Sequence, residues 1–207
     1  MLILGVTGGI GAGKSSVSAI LKELGAIVLD ADLISRQVVE PYKSAWLEIK
    51  KTFGDDFIRN DNTLDRKKLA DEIFSSKEKR LLLEKIIHRE VIAEIKEELA
   101  ALRENGYTGT VVLDVPIPVR EGFLDTVDRV WVVVSDDEIR INRLMKRSNM
   151  TRQEAKARMS SQLTQDEYMA LAHEVIENNG SREELERKVT NLYEKLLAEY
   201  EISGSRC

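Results

Sequence analysis

Cysteine, histidine and proline are scarce in this chain of 207 residues, which has one cysteine, two histidines and three prolines. The single cysteine, Cys207, cannot form an internal disulfide. A structural zinc site takes about four ligands from cysteine and histidine side chains, and the chain does not supply them. These absences exclude a disulfide-stapled scaffold and a zinc-binding module.

Long hydrophobic runs and an excess of basic residues are also lacking. No apolar run approaches the roughly 20 residues of a membrane-spanning helix, and the N-terminus begins with a strand-like run rather than a targeting segment. The net charge of −5 argues against a broad nucleic-acid-binding surface. We therefore expect a cytoplasmic globular protein with neither a membrane nor a nucleic acid as partner. A monomer or weak homo-oligomer is the working hypothesis, which the sequence itself does not decide.

What the chain does have is a glycine-rich loop between an apolar run and an amphipathic helical pattern. Residues 8–15 read Gly-Gly-Ile-Gly-Ala-Gly-Lys-Ser, which matches G-x-x-x-x-G-K-[ST]. In such a loop, backbone N–H groups surround a polyphosphate, the helix start adds positive potential, and the lysine adds a charge. An incidental glycine-rich turn is the alternative, which the spacing after a strand disfavours. The predicted nucleotide-binding residues are Gly9, Gly11, Ala12, Gly13, Lys14, Ser15 and Ser16.

Short apolar runs that alternate with helical patterns predict the fold class. The predicted strands are Leu2–Val6, Ala26–Leu29, Thr110–Leu113, Val130–Val134 and the shorter Val175-Ile176. Apolar, β-branched runs with polar boundaries are typical of parallel strands that are covered on both faces. We therefore predict an α/β protein with a central parallel sheet between two helical layers.

Helix ends are predicted from capping boxes, in which a Ser or Thr and a Glu three residues later satisfy each other's backbone donors. The pairs with this spacing are Ser135 with Glu138, Thr151 with Glu154, and Ser181 with Glu184. The helix after the loop is predicted to end at Gly25. Its predicted apolar face consists of Val17, Ile20, Leu21 and Leu24.

A helical block of about forty residues separates the second and third predicted strands, which is longer than a crossover needs. It comprises Arg66–Phe74 and a long helix over Lys77–Leu102, whose apolar face is Leu82, Ile86, Ile92, Ile95 and Leu99. We interpret residues 60–106 as an acceptor-binding subdomain within a single domain spanning 1–207. The polar helical stretch 149–161 predicts a mobile lid over about 143–170. The tail from Ile202 is expected to be disordered.

Two carboxylates, Asp30 and Asp32, follow the second predicted strand. The carboxyl ends of strands form the edge at which open α/β sheets bind their ligands. There, Asp32 can accept the proton of an attacking hydroxyl or orient that hydroxyl toward a γ-phosphate. It can equally be the N-cap of the next helix. The sequence leaves both interpretations open.

Each of the other charged residues has a functional interpretation and a purely structural one. Arg140, Arg143 and Arg147 share one helical face, which can stabilise a transferring phosphoryl group or simply be solvated. Asp114 follows the third predicted strand, where it can assist Mg²⁺ coordination or merely end the strand. His88, on the long helix, can contact an anionic group of an acceptor or be a structural residue.

Nearly the whole chain resembles the dephospho-CoA kinase family. The similar segments are 7–16, 29–36, 64–69 with Arg66, His88, Val115-Pro116, Arg143, Arg147, Gln162 and 177–180. The Asp-Ala-Asp run followed by Arg36 and the Asn-Asn-Gly at 178–180 are more specific than the loop. The resemblance implies a P-loop NTPase fold like that of nucleoside-monophosphate kinases. It also implies ATP-dependent phosphorylation of the ribose 3′-hydroxyl of dephospho-CoA, with Mg²⁺.

The resemblance also implies a role for each site residue. Asp32 would be the base, Lys14 would bind the phosphates, and Arg143 and Arg147 would be catalytic lid arginines. Ser15 would hold Mg²⁺, which Asp114 can assist from its position after the third predicted strand. The residues implied to contact the acceptor are Asp32, Arg36, Arg66, His88 and Pro116, and Asn178 is implied to contact the nucleotide.

The chain departs from the family's common pattern in three places. It has His88-Arg89 for His-Pro, Ala172-His173 for Ala-Asp, and the segment 116–120 for Pro-Leu-Leu-x-Glu, with Glu121 as a candidate substitute for the displaced glutamate. Two alternatives therefore stay open. One is a kinase of the same fold that acts on another small hydroxyl acceptor, and the other is a nucleotide-sensing module without transfer. Screening of acceptors by ATP consumption identifies the first alternative, and ATP binding with no acceptor-stimulated ADP production identifies the second.

Overall fold

A computed structural model describes residues 1–74 and 76–204. The strands are β1 (Leu2–Thr7), β2 (Ile27–Asp30), β3 (Thr110–Asp114), β4 (Arg129–Val134) and β5 (Glu174–Glu177). The helices are α1 (Lys14–Glu23), α2 (Ala31–Gln37), α3 (Ser44–Phe53), α4 (Arg66–Phe74), α5 (Lys77–Glu104), α6 (Asp137–Ser148), α7 (Arg152–Ser160), α8 (Gln165–Met169) and α9 (Arg182–Gly204). Within the described ranges, no helix has the length and apolar character needed to cross a membrane.

The predicted parallel sheet is confirmed. Over residues 1–74 and 76–204, five strands pair in parallel in the order β2-β3-β1-β4-β5. The interior strands β1 and β3 are buried throughout. The prediction that the second strand is buried was wrong, because β2 lies at the edge of the sheet and is only half-buried.

Both faces of the sheet are covered. Trp131 and Val133 of β4 belong to an apolar cluster with residues of α1 and α9. Val130 and Val132 of the same strand belong to a cluster with Tyr168 of α8. Because alternate residues of a strand face opposite sides of the sheet, these two clusters confirm the three-layer α/β/α arrangement.

Two predicted capping boxes are confirmed, and the structure adds one that was not predicted. The pairs are Thr151 with Glu154, Ser181 with Glu184, and the additional Thr164 with Glu167. Backbone N–H groups hold the pKa of Glu154 and of Glu167 below the usual range. The stabilisation from these two carboxylates is therefore present at neutral pH and is lost as the pH falls through their depressed pKa values.

The third predicted capping box was wrong. The helix α6 begins at Asp137 and its N-cap is Asp136, so Ser135 lies before the cap. Glu138 pairs instead with Arg152 of α7 at 2.5 Å, and this contact lowers the pKa of Glu138. Ser135 is 1% exposed. Its hydroxyl forms hydrogen bonds within the site described below.

Residues Ala31–Gly106 form one compact unit, here called the helical unit, in which α5 packs against α2, α3 and α4. The bounds of α4 and α5 are close to those predicted. The buried face of α5 differs, because Leu82 is exposed and Ile92 only half-buried. Its buried residues are Leu83, Ile86, Val91, Ile95 and Leu99. A helix that contacts three neighbours buries a wider stripe than one apolar face supplies.

Met1–Asp30 and the described residues from Tyr107 to Gly204 form the other compact unit, here called the core unit, which contains the sheet. In α1, the predicted face is buried at Val17, Ile20 and Leu21. The prediction was wrong for Leu24, which is the C-cap of α1 and is 38% exposed. The tail prediction was wrong for residues 202–204, which continue α9, and residues 205–207 lie outside the described part.

Replacing Gly5 by Ala is expected to destabilise the core unit. A Cβ atom at this position in β1 would lie 2.6 Å from Cζ of Phe123 and 3.1 Å from Cγ1 of Val127. Overpacked cores typically lose about 1–3 kcal/mol. Denaturant titration of Gly5→Ala should show a loss of unfolding free energy in that range. In the double variant with Phe123→Leu, the smaller side chain should offset part of the loss, and strictly additive losses would contradict the predicted clash.

Candidate active site

The loop between β1 and α1 has a backbone that requires its glycines. Gly11 and Gly13 have φ angles of 81° and 101°, in the left-handed region that residues with a Cβ atom rarely adopt. A Cβ atom at Gly11 would lie 2.9 Å from the carbonyl oxygen of Arg140, and one at Gly13 would overlap the side-chain amide of Asn178. Conformation and close neighbours therefore both exclude larger residues here, as a phosphate-binding loop needs.

An ion pair joins the loop helix to the end of β3. Lys14 is the first residue of α1, and its Nζ contacts Oδ1 of Asp114, the last residue of β3. The side chains are 15% and 4% exposed. A carboxylate this deeply buried needs a charged partner, and Lys14 provides one. Asp114 is therefore more than a polar end to its strand: it orients the cation of the loop.

Two arginines of α6 bind the carbonyl groups of the loop. Arg140 is 6% exposed and donates through Nε to the carbonyl of Ile10 at 3.0 Å. Nη1 of Arg143 lies 3.3 Å from the carbonyl oxygen of Gly11 and 3.2 Å from that of Ala12. Both guanidinium groups thus stabilise the backbone of the loop, and the interpretation of a merely solvated face is wrong for these two residues.

Asn178 connects the end of β5 to the loop and to α6. Its Nδ2 donates to the carbonyl of Ala12 at 2.8 Å. Its backbone carbonyl lies 3.0 Å from Nη2 of Arg143 and 2.9 Å from the hydroxyl of Ser135. Asn178 is only 6% exposed, so the amide serves the loop backbone from a buried position. The hydroxyl of Ser135, predicted to cap α6, belongs to this network instead.

The segment after α7 also contacts the loop and the end of β3. Oε1 of Gln162 accepts a hydrogen bond from the N–H of Ile10 at 2.7 Å. The hydroxyl of Tyr168 donates to the carbonyl of Pro116 at 2.9 Å. Burial raises the pKa of Tyr168, so its phenol remains a protonated donor at neutral pH. Gln162 and Tyr168, which lie on either side of the N-terminus of α8, are thus hydrogen-bonded to the loop and to the segment after β3.

Most of the residues predicted to contact the acceptor lie in the helical unit. Asp32 and Arg36 lie in the first and last turns of α2, Arg66 begins α4, and His88 lies on α5. All four are exposed, whereas the half-buried Pro116 belongs to the core unit. Since α2 begins at Ala31, Asp32 lies inside the helix rather than at the preceding cap position.

Two departures from the family's pattern have structural partners. The guanidinium group of Arg89 contacts Glu48 of α3 and donates through Nε to Glu90 at 3.0 Å. The pairing lowers the pKa of Glu48 and raises that of Arg89. Nδ1 of His173 accepts the N–H of Val130 at 3.0 Å, next to the start of β5. These side chains connect α3 to α5 and β4 to β5.

A magnesium ion is compatible with the residues present, although no three His, Cys, Asp or Glu side chains cluster in the ranges 1–74 and 76–204. Mg²⁺ usually takes one or two protein ligands and completes its shell with phosphate oxygens and water. The hydroxyl of Ser15 and the carboxylate of Asp114 are oxygen donors of the required kind. The Lys14 contact brings Asp114 to the first turn of α1, where Ser15 is the next residue.

The loop, its helix and the order of the parallel strands define a P-loop kinase fold. A shikimate kinase from Acinetobacter baumannii has a similar structure, with a TM-score of 0.56 at 18% identity over 96% of this chain and 94% of that chain. A Thermus thermophilus crystal structure has a TM-score of 0.78 at 34% identity, covering 94% of this chain and 97% of that chain. A dephospho-CoA kinase from Campylobacter jejuni has a TM-score of 0.71 at 24% identity, covering 94% and 96%.

Sequence comparison identifies the family. The pattern of the dephospho-CoA kinase family matches residues 2–184. A dephospho-CoA kinase from Geobacillus kaustophilus is 43% identical over 91% of this chain and 93% of its own length. One from Geobacter sulfurreducens is 41% identical over 94% of this chain and 98% of its own length. The chain belongs to the dephospho-CoA kinase family.

The sequence did not predict that side chains would donate hydrogen bonds to the carbonyl groups of the loop. Arg140 and Arg143 were predicted together with Arg147, yet only Arg147 is exposed. The spacing of three and four residues shows a shared face but carries no sign of what that face contacts. Ser135 was interpreted from its local spacing alone, whereas its hydroxyl donates to Asn178 and Asn179, more than forty residues away, and accepts from Arg143.

Asn178→Ala is expected to weaken nucleotide binding. Without Nδ2, the carbonyl of Ala12 loses its shorter hydrogen bond, and the loop backbone is less well fixed. One net hydrogen bond of about 1 kcal/mol corresponds to roughly a fivefold loss of affinity. Calorimetric titration with a non-hydrolysable ATP analogue measures it. Asn191→Ala, on the exposed face of α9, is the matched control, and equal affinities for the two variants would contradict a role for Asn178.

Proposed function

We propose that this chain transfers the γ-phosphoryl group of ATP to the 3′-hydroxyl of dephospho-CoA, giving CoA and ADP. The observation that carries the proposal is the glycine-dependent loop with its Lys14–Asp114 pair, found in a chain of the dephospho-CoA kinase family. The relatives named above as dephospho-CoA kinases match over nearly their whole length, which supports the same reaction here. The activity is placed in the cytoplasm, with the protein as a monomer or weak homo-oligomer.

On the donor side, the loop binds the triphosphate. The N–H groups from Gly11 to Ser16 and the N-terminus of α1 direct positive potential toward the phosphates, and Lys14 contributes the mobile charge. The side chain of Asn178 and the guanidinium of Arg143 hold the loop in that conformation. Ser15 and Asp114 would hold Mg²⁺, which would supply charge neutralisation on the phosphates when bound. The nucleotide-binding set is Gly9, Gly11, Ala12, Gly13, Lys14, Ser15, Ser16 and Asn178.

On the acceptor side, Asp32 takes the proton of the 3′-hydroxyl. The oxygen of that hydroxyl forms a bond to the γ-phosphorus, the bond from the γ-phosphorus to the β–γ bridging oxygen breaks, and ADP leaves with that electron pair. The exposed cations Arg36 and Arg66, with His88, bind anionic groups of the acceptor, and Pro116 also contacts it. Residues 60–106 serve as the acceptor-binding subdomain.

Arginines of α6 stabilise the negative charge on the transferring phosphoryl group. Arg147 is exposed in the last turn of α6, at the start of the proposed lid over residues 143–170, and contacts the transferring group when ATP is bound. Arg143 acts through the loop carbonyls that it binds and through its charge near the phosphates. Catalysis in this scheme is mainly positioning and electrostatic stabilisation, as phosphoryl transfer requires.

Asp32→Asn is expected to lower kcat by about 10²- to 10⁴-fold, because the amide keeps the size of the carboxylate but cannot accept the proton. ADP release in a coupled assay with ATP and dephospho-CoA measures kcat and both KM values. The KM for ATP should change less than about twofold, since Asp32 does not bind the phosphates in this scheme. Asp56→Asn, an exposed aspartate of the same unit, is the matched control.

The same assay separates the proposed reaction from its alternatives. Retained turnover in Asp32→Asn would remove this residue from the mechanism. A wild-type protein that consumes ATP with another small alcohol but not with dephospho-CoA would instead be a kinase with a different acceptor. ATP binding without ADP production for any acceptor would leave a nucleotide-sensing module.

Asp114→Asn is expected to raise the Mg²⁺ concentration needed for half-maximal activity by about tenfold or more, because the site loses a charged oxygen donor. Titration of ADP release with Mg²⁺ at saturating substrates provides the measurement. The wild-type protein should lose its activity in EDTA and recover it with added Mg²⁺. An unchanged Mg²⁺ requirement in the variant would exclude Asp114 from the metal site.

A further inference from the structure

Ile10 occupies a variable position of the phosphate-binding loop. Its backbone N–H, its carbonyl and its side chain nevertheless all have partners outside the loop. Its N–H donates to Oε1 of Gln162 at 2.7 Å. Its carbonyl accepts from Nε of Arg140 at 3.0 Å. The backbone of this residue is thus held on one side by α6 and on the other by the connection between α7 and α8.

The side chain of Ile10 packs against the same two helices. It contacts a small apolar cluster that joins α6 to α7. The members of this cluster are Ile141, Leu144 and Ala155, and the half-buried Met159 packs against it as Ile10 does. Ile141, Leu144 and Ala155 are 2%, 1% and 0% exposed, so Ile10 meets a closed apolar surface rather than mobile side chains.

Gln162 is itself held in place. Its backbone N–H donates to the carbonyl of Met159 at 3.2 Å, which continues the end of α7. Two residues later, Thr164 begins the capping box of α8. Its amide side chain therefore reaches the loop from a connection whose two ends are both fixed by hydrogen bonds.

The neighbours of Ile10 explain why such anchoring matters. Gly9 and Gly11 flank it, and glycine loses more backbone freedom on ordering than any other residue. A loop of glycines must be held by other groups if its N–H groups are to be preorganised for the phosphates. Preorganisation raises affinity because the ordering cost is met before the ligand binds.

We propose that Gln162, acting through Ile10, is a positioning residue that holds the phosphate-binding loop in its ATP-binding conformation. The helices of the proposed lid are thereby coupled to the loop through one of its variable residues. A change at the end of α7 then alters ATP affinity without removing any group that touches ATP. This inference rests on the proposed function for the identity of the nucleotide.

The test replaces Gln162 by Met, which keeps the length of the side chain and has only a weakly accepting sulfur. Binding of a non-hydrolysable ATP analogue, measured by calorimetry, should weaken by about fivefold. Hydrogen exchange of the Ile10 amide, measured by NMR, should accelerate by about tenfold or more. The KM for dephospho-CoA should change less than twofold, which a general loss of structure would not allow.

Two further variants serve as controls. Gln153→Met makes the same substitution on an exposed position of α7 and should leave both readouts at the wild-type value. Gln162→Asn keeps the amide but is one methylene too short to reach Ile10, so it should reproduce the effects of Gln162→Met. It also replaces that variant if the methionine substitution prevents folding.

The outcomes are distinct. Faster exchange and weaker binding in both Gln162 variants, but not in Gln153→Met, support the proposal. Analogue affinity equal to that of the wild type in a folded Gln162 variant overturns it, as does weakening of equal size in Gln153→Met. A wild-type protein that does not bind the analogue overturns the proposed function instead, and the exchange of the Ile10 amide still reports on the contact with Gln162.

Discussion

A phosphate-binding loop imposes one constraint on the structure around it: when its N–H groups face the phosphates, its carbonyl oxygens need donors from elsewhere. In this chain the donors are Arg140 and Arg143 of α6 and the amide of Asn178 after β5. Ala12 is buried, whereas Ile10 and Gly11 are half-buried. A buried carbonyl without a donor costs about 1–3 kcal/mol, so these three side chains stabilise the loop conformation before any nucleotide binds. The glycines permit that conformation, and the donors select it.

The sheet places the charged side chains that lie beside the phosphate-binding loop. In a parallel sheet all carboxyl ends lie at the same edge, and the register pairs Asp30 of β2 with Asp114 of β3. Acidic residues from separate strands thus collect beside the loop that follows β1, and Lys14 is the counter-charge already in contact with one of them. Oxygen donors for a cation and a basic group for the phosphates are brought to one edge by topology rather than by proximity in sequence.

Local signals predicted much of this fold. The loop spacing, the strand runs and the Thr151–Glu154 box depend on residues within a few positions of one another, and they are confirmed. The misses arose where distant contacts decide. Ser135 has the spacing of a cap but bonds to Asn178, β2 has the composition of a buried strand but lies at an edge, and Leu83 is buried in place of Leu82 because α5 meets three helices. The donors to the loop carbonyls could not be predicted either, because they lie more than a hundred residues from the loop in the sequence. The roles of Asp32, Arg36, Arg66 and His88 remain predictions that the kinetic assays address.

The identity of residue 89 determines whether α5 is continuous. Proline, which the family commonly has there, would remove a backbone hydrogen bond and kink a helix interior. With Arg89, α5 runs unbroken for 28 residues, about 42 Å at the usual rise per residue, and it is braced to α3 through Glu48. An uninterrupted helix of this length sets the separation of its two ends, so the segments that adjoin Lys77 and Glu104 are held apart by a single element with no kink between them.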